Sequence, residues 1–244
     1  MAETLRSRVQ QTVNRLLHPL GLHLARRDRV FNMSGLLTRA KLRGLAPATV
    51  IDVGASDGIW SLRARRHFPA AQFLLFEPLA ERQPALQQLQ KRHGFAIEPA
   101  VAGAAAGQAA FNVDPALDGS GVATAGTAGT RTVPQTTVDH AVDARNLRGP
   151  YMLKLDTHGY EIPVLDGATR VIAETELLII EAYNFTLTPD CLRFHELCAW
   201  LESRGFRCCD LADPMRRPGD GVLWQMDLAF APKDHPMFAT NGYR

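Results

Sequence analysis

The chain has 244 residues, 46% hydrophobic and 21% charged. That excludes a disordered or fibrous chain and suits one large domain or a domain with a small extension. Four cysteines (Cys191, Cys198, Cys208 and Cys209) show neither C-x-x-C pairing nor zinc spacing, and no apolar run reaches the ~18 residues of a spanning helix, so a reduced, cytoplasmic chain is expected.

The net charge of +2 decides nothing about nucleic acid, but its distribution is uneven: residues 1–29 hold six arginines against Glu3 and Asp28. Within that stretch, residues 4–20 place Leu5, Val9, Val13, Leu16, Leu17 and Leu20 at helical spacing. A second short helix is expected over 34–45, ending near Gly44 and Pro47. ATVIDV (48–53) reads as a buried strand, DGIWSLRARRHF (57–68) as a helix and AQFLLFEP (71–78) as a second buried strand. ERQPALQQLQKRHG (81–94) is a helix with a glycine stop, and FAIEPAV (95–101) a third strand. Residues 102–135 resist assignment; their GSGVATAGTAGT reads as a mobile loop or a short hairpin. YMLKLD (151–156) is the fourth strand, GYEIPVLDGATRVIA (159–173) one helix, and ELLIIEA (176–182) the fifth strand. Residues 188–205 read as a helix with Asp190 near its cap, and FRCCDL and VLWQMDLAF as a closing hairpin. Helices alternating with near-continuous apolar strands predict an α/β fold, a mostly parallel sheet covered on both faces.

In such a sheet ligands lie beyond the carboxyl ends of the strands. The first strand ends in Asp52, Gly54, Ala55 and Gly58. The glycines permit a tight turn and a close backbone approach. Their G-x-x-x-G spacing is not the G-x-G-x-x-G of nicotinamide binders. The second strand ends in Glu77, 25 residues after Asp52, where a carboxylate can accept from both hydroxyls of a ribose. Asp52 favours a cationic amino-acid moiety over a pyrophosphate. A nucleoside with a positive charge and no phosphates, S-adenosylmethionine, fits both acids. A simple structural turn is the plainer alternative for the glycines.

VIDVGASDGIWSL, FEP, TTVDH, LKLDTHGYEIPVLDGA, LLIIEAYNF and WQMDLAF, in that order over residues 48–231, resemble the FkbM family of S-adenosylmethionine-dependent methyltransferases. The resemblance implies a class I (Rossmann-like) methyltransferase fold over residues 48–244, with residues 1–47 as a helical extension. It also implies methylation of a hydroxyl, on a sugar, glycoconjugate or natural product. Asp52, Gly54, Ala55 and Gly58 match the family's first cofactor motif, and Glu77 and Pro78 its ribose-binding segment. Lys154, Asp156, Gly159 and Glu161 match its K-x-D-x-x-G-x-E signature. Here His158 precedes Gly159, and Tyr160 replaces the commoner small residue.

Methyl transfer to a hydroxyl needs an acceptor for the proton. Asp156 ends the fourth strand, and His158, of the residue type that changes charge near neutral pH, follows two residues later. Either is a candidate base; the plainer reading has Asp156 only binding cofactor and His158 capping the next helix. Lys154 points to the same side of the sheet as Asp156 and suits an ion pair better than a base. Lys154, Tyr160, Glu181 and Asn184 are the candidate acceptor-binding residues. Asp156, Glu181 and Asn184 also make an oxygen set suited to Mg²⁺, but Glu181 and Asn184 are three apart, so independence from metal is preferred. Trp60, Tyr160, Tyr183, Phe185 and Trp224 could stack on a sugar, although each is individually a core candidate.

The expected partner is a hydroxyl-bearing small molecule or glycan, not nucleic acid. A nucleotide-dependent oxidoreductase or a non-catalytic nucleoside-binding module on the same fold stays as the alternative. The missing third glycine disfavours the first, and the retention of Asp52, Glu77 and Asp156 the second. For residues 4–20, packing on the domain or on a second subunit is preferred to loose attachment at the inner face of a membrane, because the apolar face lacks Trp and Phe.

Overall fold

The computed structural model describes residues 12–20, 30–123, 127 and 129–242. Its main sheet has seven strands: β1 (Thr49–Val53), β2 (Gln72–Phe76), β3 (Ala96–Glu98), β8 (Tyr151–Leu155), β9 (Thr175–Tyr183), β10 (Phe206–Arg216) and β11 (Leu223–Pro232). The order is β3-β2-β1-β8-β9-β11-β10. Strands β3 to β9 pair in parallel, whereas β11 runs antiparallel to both β9 and β10. This is the mostly parallel sheet with a closing hairpin that the alternation predicts.

Strand alternation divides the core into two layers. Ile51, Val53, Leu74 and Phe76 face α4 (Val138–Asp143), α5 (Glu161–Asp166), α6 (Thr169–Ala173) and α7 (Phe194–Ser203). Val50, Phe73, Leu75 and Met152 face α1 (Met33–Leu42), α2 (Ile59–His67) and α3 (Gln83–His93). Fully burying one such leucine or phenylalanine contributes about 1.5–3 kcal/mol, so both layers of helices are held mainly by apolar contact. Asp52 and Lys154 belong by alternation to the second layer, buried beneath α2.

Several boundaries depart from the sequence reading. The expected third strand is cut short at Glu98, before Pro99, and Val101–Ala102 (β4) joins a different sheet. Residues 102–135, left unassigned by the sequence, supply strands; within the expected loop or hairpin of 119–130, Gly121–Val122 is a strand and residues 124–126 and 128 lie outside the described residues. With β4, strands β5 (Gly107–Asn112), β6 (Gly121–Val122) and β7 (Arg131–Thr136) form a second sheet in the order β4-β7-β5-β6. Leu79, Val101, Ala109, Phe111 and Val133 give it a small core of its own. The single helix expected over 159–173 is two, α5 and α6, divided at Gly167. A Cβ on Gly167 would lie 2.0 Å from the carbonyl oxygen of Gly103, so the backbone of the second sheet presses against this break. Helix α7 starts at Phe194, not near Asp190; Arg193 is its N-cap, held by Glu196 in a capping box.

At the N-terminus, residues 12–17 are helical and His18–Leu20 form a 3₁₀ turn; residues 4–11 of the expected helix lie outside the described residues. Leu16 and Leu20 are 74% and 72% exposed. Neither side chain packs on the domain. Among the described residues no helix is long and apolar enough to cross a membrane.

Candidate active site

Four strand ends converge on one cavity of about 460 Å³. At the first, Gly54 takes φ +78°, and a Cβ there would lie 2.0 Å from the Asp156 carbonyl oxygen. The turn after β1 thus packs backbone to backbone on the turn after β8, which only glycine allows. Gly58, at φ +79°, closes the turn by donating its N–H to Ala55 O at 2.8 Å; a methyl group on it would strike Leu89 Cδ1 at 2.3 Å. Gly54 and Ser56 line the cavity, whereas Asp52, Ala55 and Gly58 shape the turn from beneath.

At the second end, Glu77 is fixed by two backbone donors: Ser56 N–H to Oε2 and Leu79 N–H to Oε1, both at 2.9 Å. Burial raises its pKa against those two bonds. Each carboxylate oxygen keeps a further acceptor site toward the cavity, which Pro78 also lines. A glycine-tight turn beside a pinned carboxylate fits the ribose of S-adenosylmethionine.

The third end carries the charge cluster. Lys154, 3% exposed, does not reach the cavity; its ammonium lies 3.0 Å from Asp156 Oδ2 and 3.4 Å from Asp52 Oδ1. Ser61 Oγ donates to Asp52 at 2.7 Å. Burial raises the Asp52 pKa despite Lys154, so the carboxylate expected to meet a cationic moiety is already committed to internal partners. Asp156 lies below the usual carboxylate range: burial opposes this, but the Lys154 ammonium and the hydrogen bond from Glu181 together outweigh it.

From the fourth end comes Glu181, hydrogen-bonded to Asp156, to the Tyr183 hydroxyl and to Gln225 Nε2. Burial and the adjacent Asp156 charge push its pKa up to about 9. The pair therefore keeps one proton at neutral pH, on the Glu181 side. His158 lies against both, with Nε2 3.5 Å from Asp156 Oδ1 and 3.6 Å from Glu181 Oε2. Its Nδ1 is 2.9 Å from the carbonyl oxygen of Ser120. A carbonyl only accepts, so in the neutral ring Nδ1 carries the hydrogen and Nε2 presents its lone pair.

The signature loop holds this ring in place. Glu161 accepts from Thr157 Oγ1 at 3.0 Å and from Gly159 N–H at 2.9 Å, bracketing His158 at φ +54°. His158 and Tyr183 also line a second cavity, of about 470 Å³, with Asn112, Thr188 and Trp224. They thus stand where two cavities meet.

Of the candidate acceptor-binding residues, Tyr160 and Glu181 line the first cavity and not the second. Asn184 lines neither: its Nδ2 donates to Leu223 O and its N–H to Trp224 O, so it ties β9 to the hairpin. The oxygen set of Asp156, Glu181 and Asn184 is accordingly not assembled; His158 stands with the two acids instead, their ligand atoms within 4.8 Å of one another. Trp60 lies under α2 with Lys154 over its ring, and lines neither cavity. Sequence reasoning missed Ser120 and Gln225. Both reach the site across strand pairings with no local motif to signal them.

A parallel sheet with an antiparallel edge hairpin, and a glycine turn facing a pinned acid, are the features of the class I methyltransferase fold. The methyltransferase FkbM domain model matches residues 52–208, and the chain belongs to the FkbM methyltransferase family. The crystal structure of methyltransferase FkbM from Methylobacillus flagellatus KT is similar, with a TM-score of 0.50 at 18% identity. The match covers 74% of this chain and 43% of that one, so this chain spans less than half of that protein's length. A 1,6-didemethyltoxoflavin-N1-methyltransferase from Burkholderia thailandensis, with bound S-adenosylhomocysteine, matches at a TM-score of 0.46 and 12% identity, over 80% of this chain and 72% of that one. No curated protein sequence matches significantly.

Proposed function

We propose that this chain methylates a hydroxyl oxygen of a sugar, glycoconjugate or small natural product, with His158 as general base. One observation carries the choice: His158 lines both cavities, and the Ser120 carbonyl at its Nδ1 leaves Nε2 of the neutral ring with a lone pair. The first cavity would hold S-adenosylmethionine, with Gly54 and Ser56 against its chain and Glu77 on its ribose. Bound there, the cofactor supplies an electrophilic methyl group on sulfur. The second cavity would hold the acceptor.

His158 is the better base of the two candidates. Asp156 is held ionised by Lys154, which lowers its affinity for a proton. The His158 Nε2 is free to take one, and the resulting imidazolium would rest against Asp156 on one side and Glu181 on the other. Asp156 thereby stabilises the charge that forms and orients the ring, as the carboxylate does in a catalytic triad. Tyr183 and Gln225 fix Glu181, so the cluster has little freedom to rearrange.

The test uses labelled S-adenosylmethionine with fractionated glycans, lipids and metabolites to find the acceptor. His158→Ala then lowers turnover by about 10²-fold or more while the affinity for S-adenosylhomocysteine holds. Full turnover in that variant would sink the base assignment. Calorimetric binding of NADH but not S-adenosylhomocysteine would favour an oxidoreductase.

A further inference from the structure

The opposite flank of α2 carries chemistry that methyl transfer does not use. A groove of about 800 Å³ runs between α1 and α2, lined by Ser34 and Thr38 on one side and by Arg63, Arg66 and His67 on the other. Neither Arg63 nor Arg66 has an ion-pair or hydrogen-bond partner among the described residues; Arg63 feels only the more distant charge of Asp227. The acid in the groove, Asp213, already accepts the Met33 N–H at 2.9 Å. Two exposed guanidinium groups three residues apart on one helix face therefore outnumber the one acid of the groove.

Large apolar side chains flank this positive groove. Ile59 precedes Arg63 by four residues on the same stripe of α2 and is 57% exposed. Leu42 follows Thr38 by four on α1 and is 73% exposed; Phe31, between groove residues Val30 and Asn32, is 65% exposed. A soluble phosphate would find its charge partners here but give these three side chains no reason to face water. Nucleic acid would meet the arginines but would leave two aliphatic side chains against its phosphates. An anionic bilayer satisfies both sets at once: headgroup phosphates in the groove, and Phe31, Leu42 and Ile59 at the boundary of the acyl chains.

We infer that the α1–α2 face is a docking surface for an anionic membrane. The surface lies on described residues, α1, α2 and the Val30–Asn32 bend. It does not depend on which hydroxyl is methylated.

Flotation of the full chain with phosphatidylglycerol vesicles at low salt, against phosphatidylcholine vesicles, tests it. The chain partitions to the anionic vesicles and is released as salt rises through the range where the Debye length falls below ~10 Å. Each arginine is worth about fivefold, so R63Q/R66Q lowers partition by about 25-fold. F31S/L42S lowers it by about tenfold or more. Unchanged melting temperatures certify that the variants fold. Equal vesicle binding by wild type and both variants would overturn the inference, as would failure of the wild type to bind. Arginine-dependent binding of inorganic phosphate or single-stranded RNA, without vesicle binding, would also overturn it and make the groove a site for a soluble anion.

Discussion

Glu181 shows how one residue couples this site to the stability of the whole chain. Its ordinary pKa is 4.5, and burial beside Asp156 pushes it up to about 9. The folded protein therefore keeps a proton that the unfolded chain releases, so stability is greatest below about 4.5 and is lost as pH climbs toward about 9. Asp227, pushed up to about 7 by burial, acts with the same sign. Asp156, held low, acts only in acid, below its ordinary range. Glu181→Gln removes the largest of these contributions but keeps a donor toward Asp156. In that variant the fall in melting temperature between pH 6 and 9 becomes shallower than in wild type. An unchanged slope would show that Glu181 is ionised in the folded protein. Sequence reasoning put Glu181 at the right strand end but could not see this proton, because it depends on a distance across the sheet to Asp156. Asn184 failed for a related reason: a single main-chain partner on β11 drew its side chain away.

The loop from β8 to α5 makes the family signature legible as mechanics. Lys154 balances two acids, Gly159 takes φ +98°, and Glu161 ties down the residues around His158. Glu161→Ala leaves the Gly159 N–H and the Thr157 hydroxyl without their acceptor, which costs about 1–3 kcal/mol by denaturant unfolding. It also frees the turn that aims His158, so turnover falls more than cofactor affinity does. Loss of stability without loss of turnover would reduce Glu161 to a structural role. The strands of the main sheet were readable because they are continuous apolar runs with turn residues at their ends. The small sheet was not: β4 and β6 have two residues each, and β7 contains Pro134. Such strands exist only through their partners, and local pattern carries almost none of that information. The break at Gly167 was hidden likewise, since its cause is the backbone of Gly103.

At the scale of the molecule, the two core layers close without a buried side chain from His18–Leu20. Leu16 and Leu20 stay exposed, and the 3₁₀ turn at His18–Leu20 buries nothing. L16S/L20S therefore shifts the melting temperature by no more than about 4 °C, the shift that ~1 kcal/mol gives in a domain of this size. A larger drop would show that this segment packs after all. The molecule is also split in the origin of its parts. The turns after β1 and β2 line only the first cavity, whereas the second sheet and the hairpin wall both. The thread between the halves is the contact of His158 Nδ1 with the Ser120 carbonyl, and it is made by main chain. Any residue type at position 120 carries that carbonyl. In evolutionary terms, the side chains of this segment can diverge while the imidazole keeps its tautomer, as long as the loop keeps the shape that Ser120 Oγ now helps set by accepting the Asp114 N–H at 3.0 Å. A lineage could thus try new acceptors by rewriting one surface insertion, without rebuilding its chemistry each time.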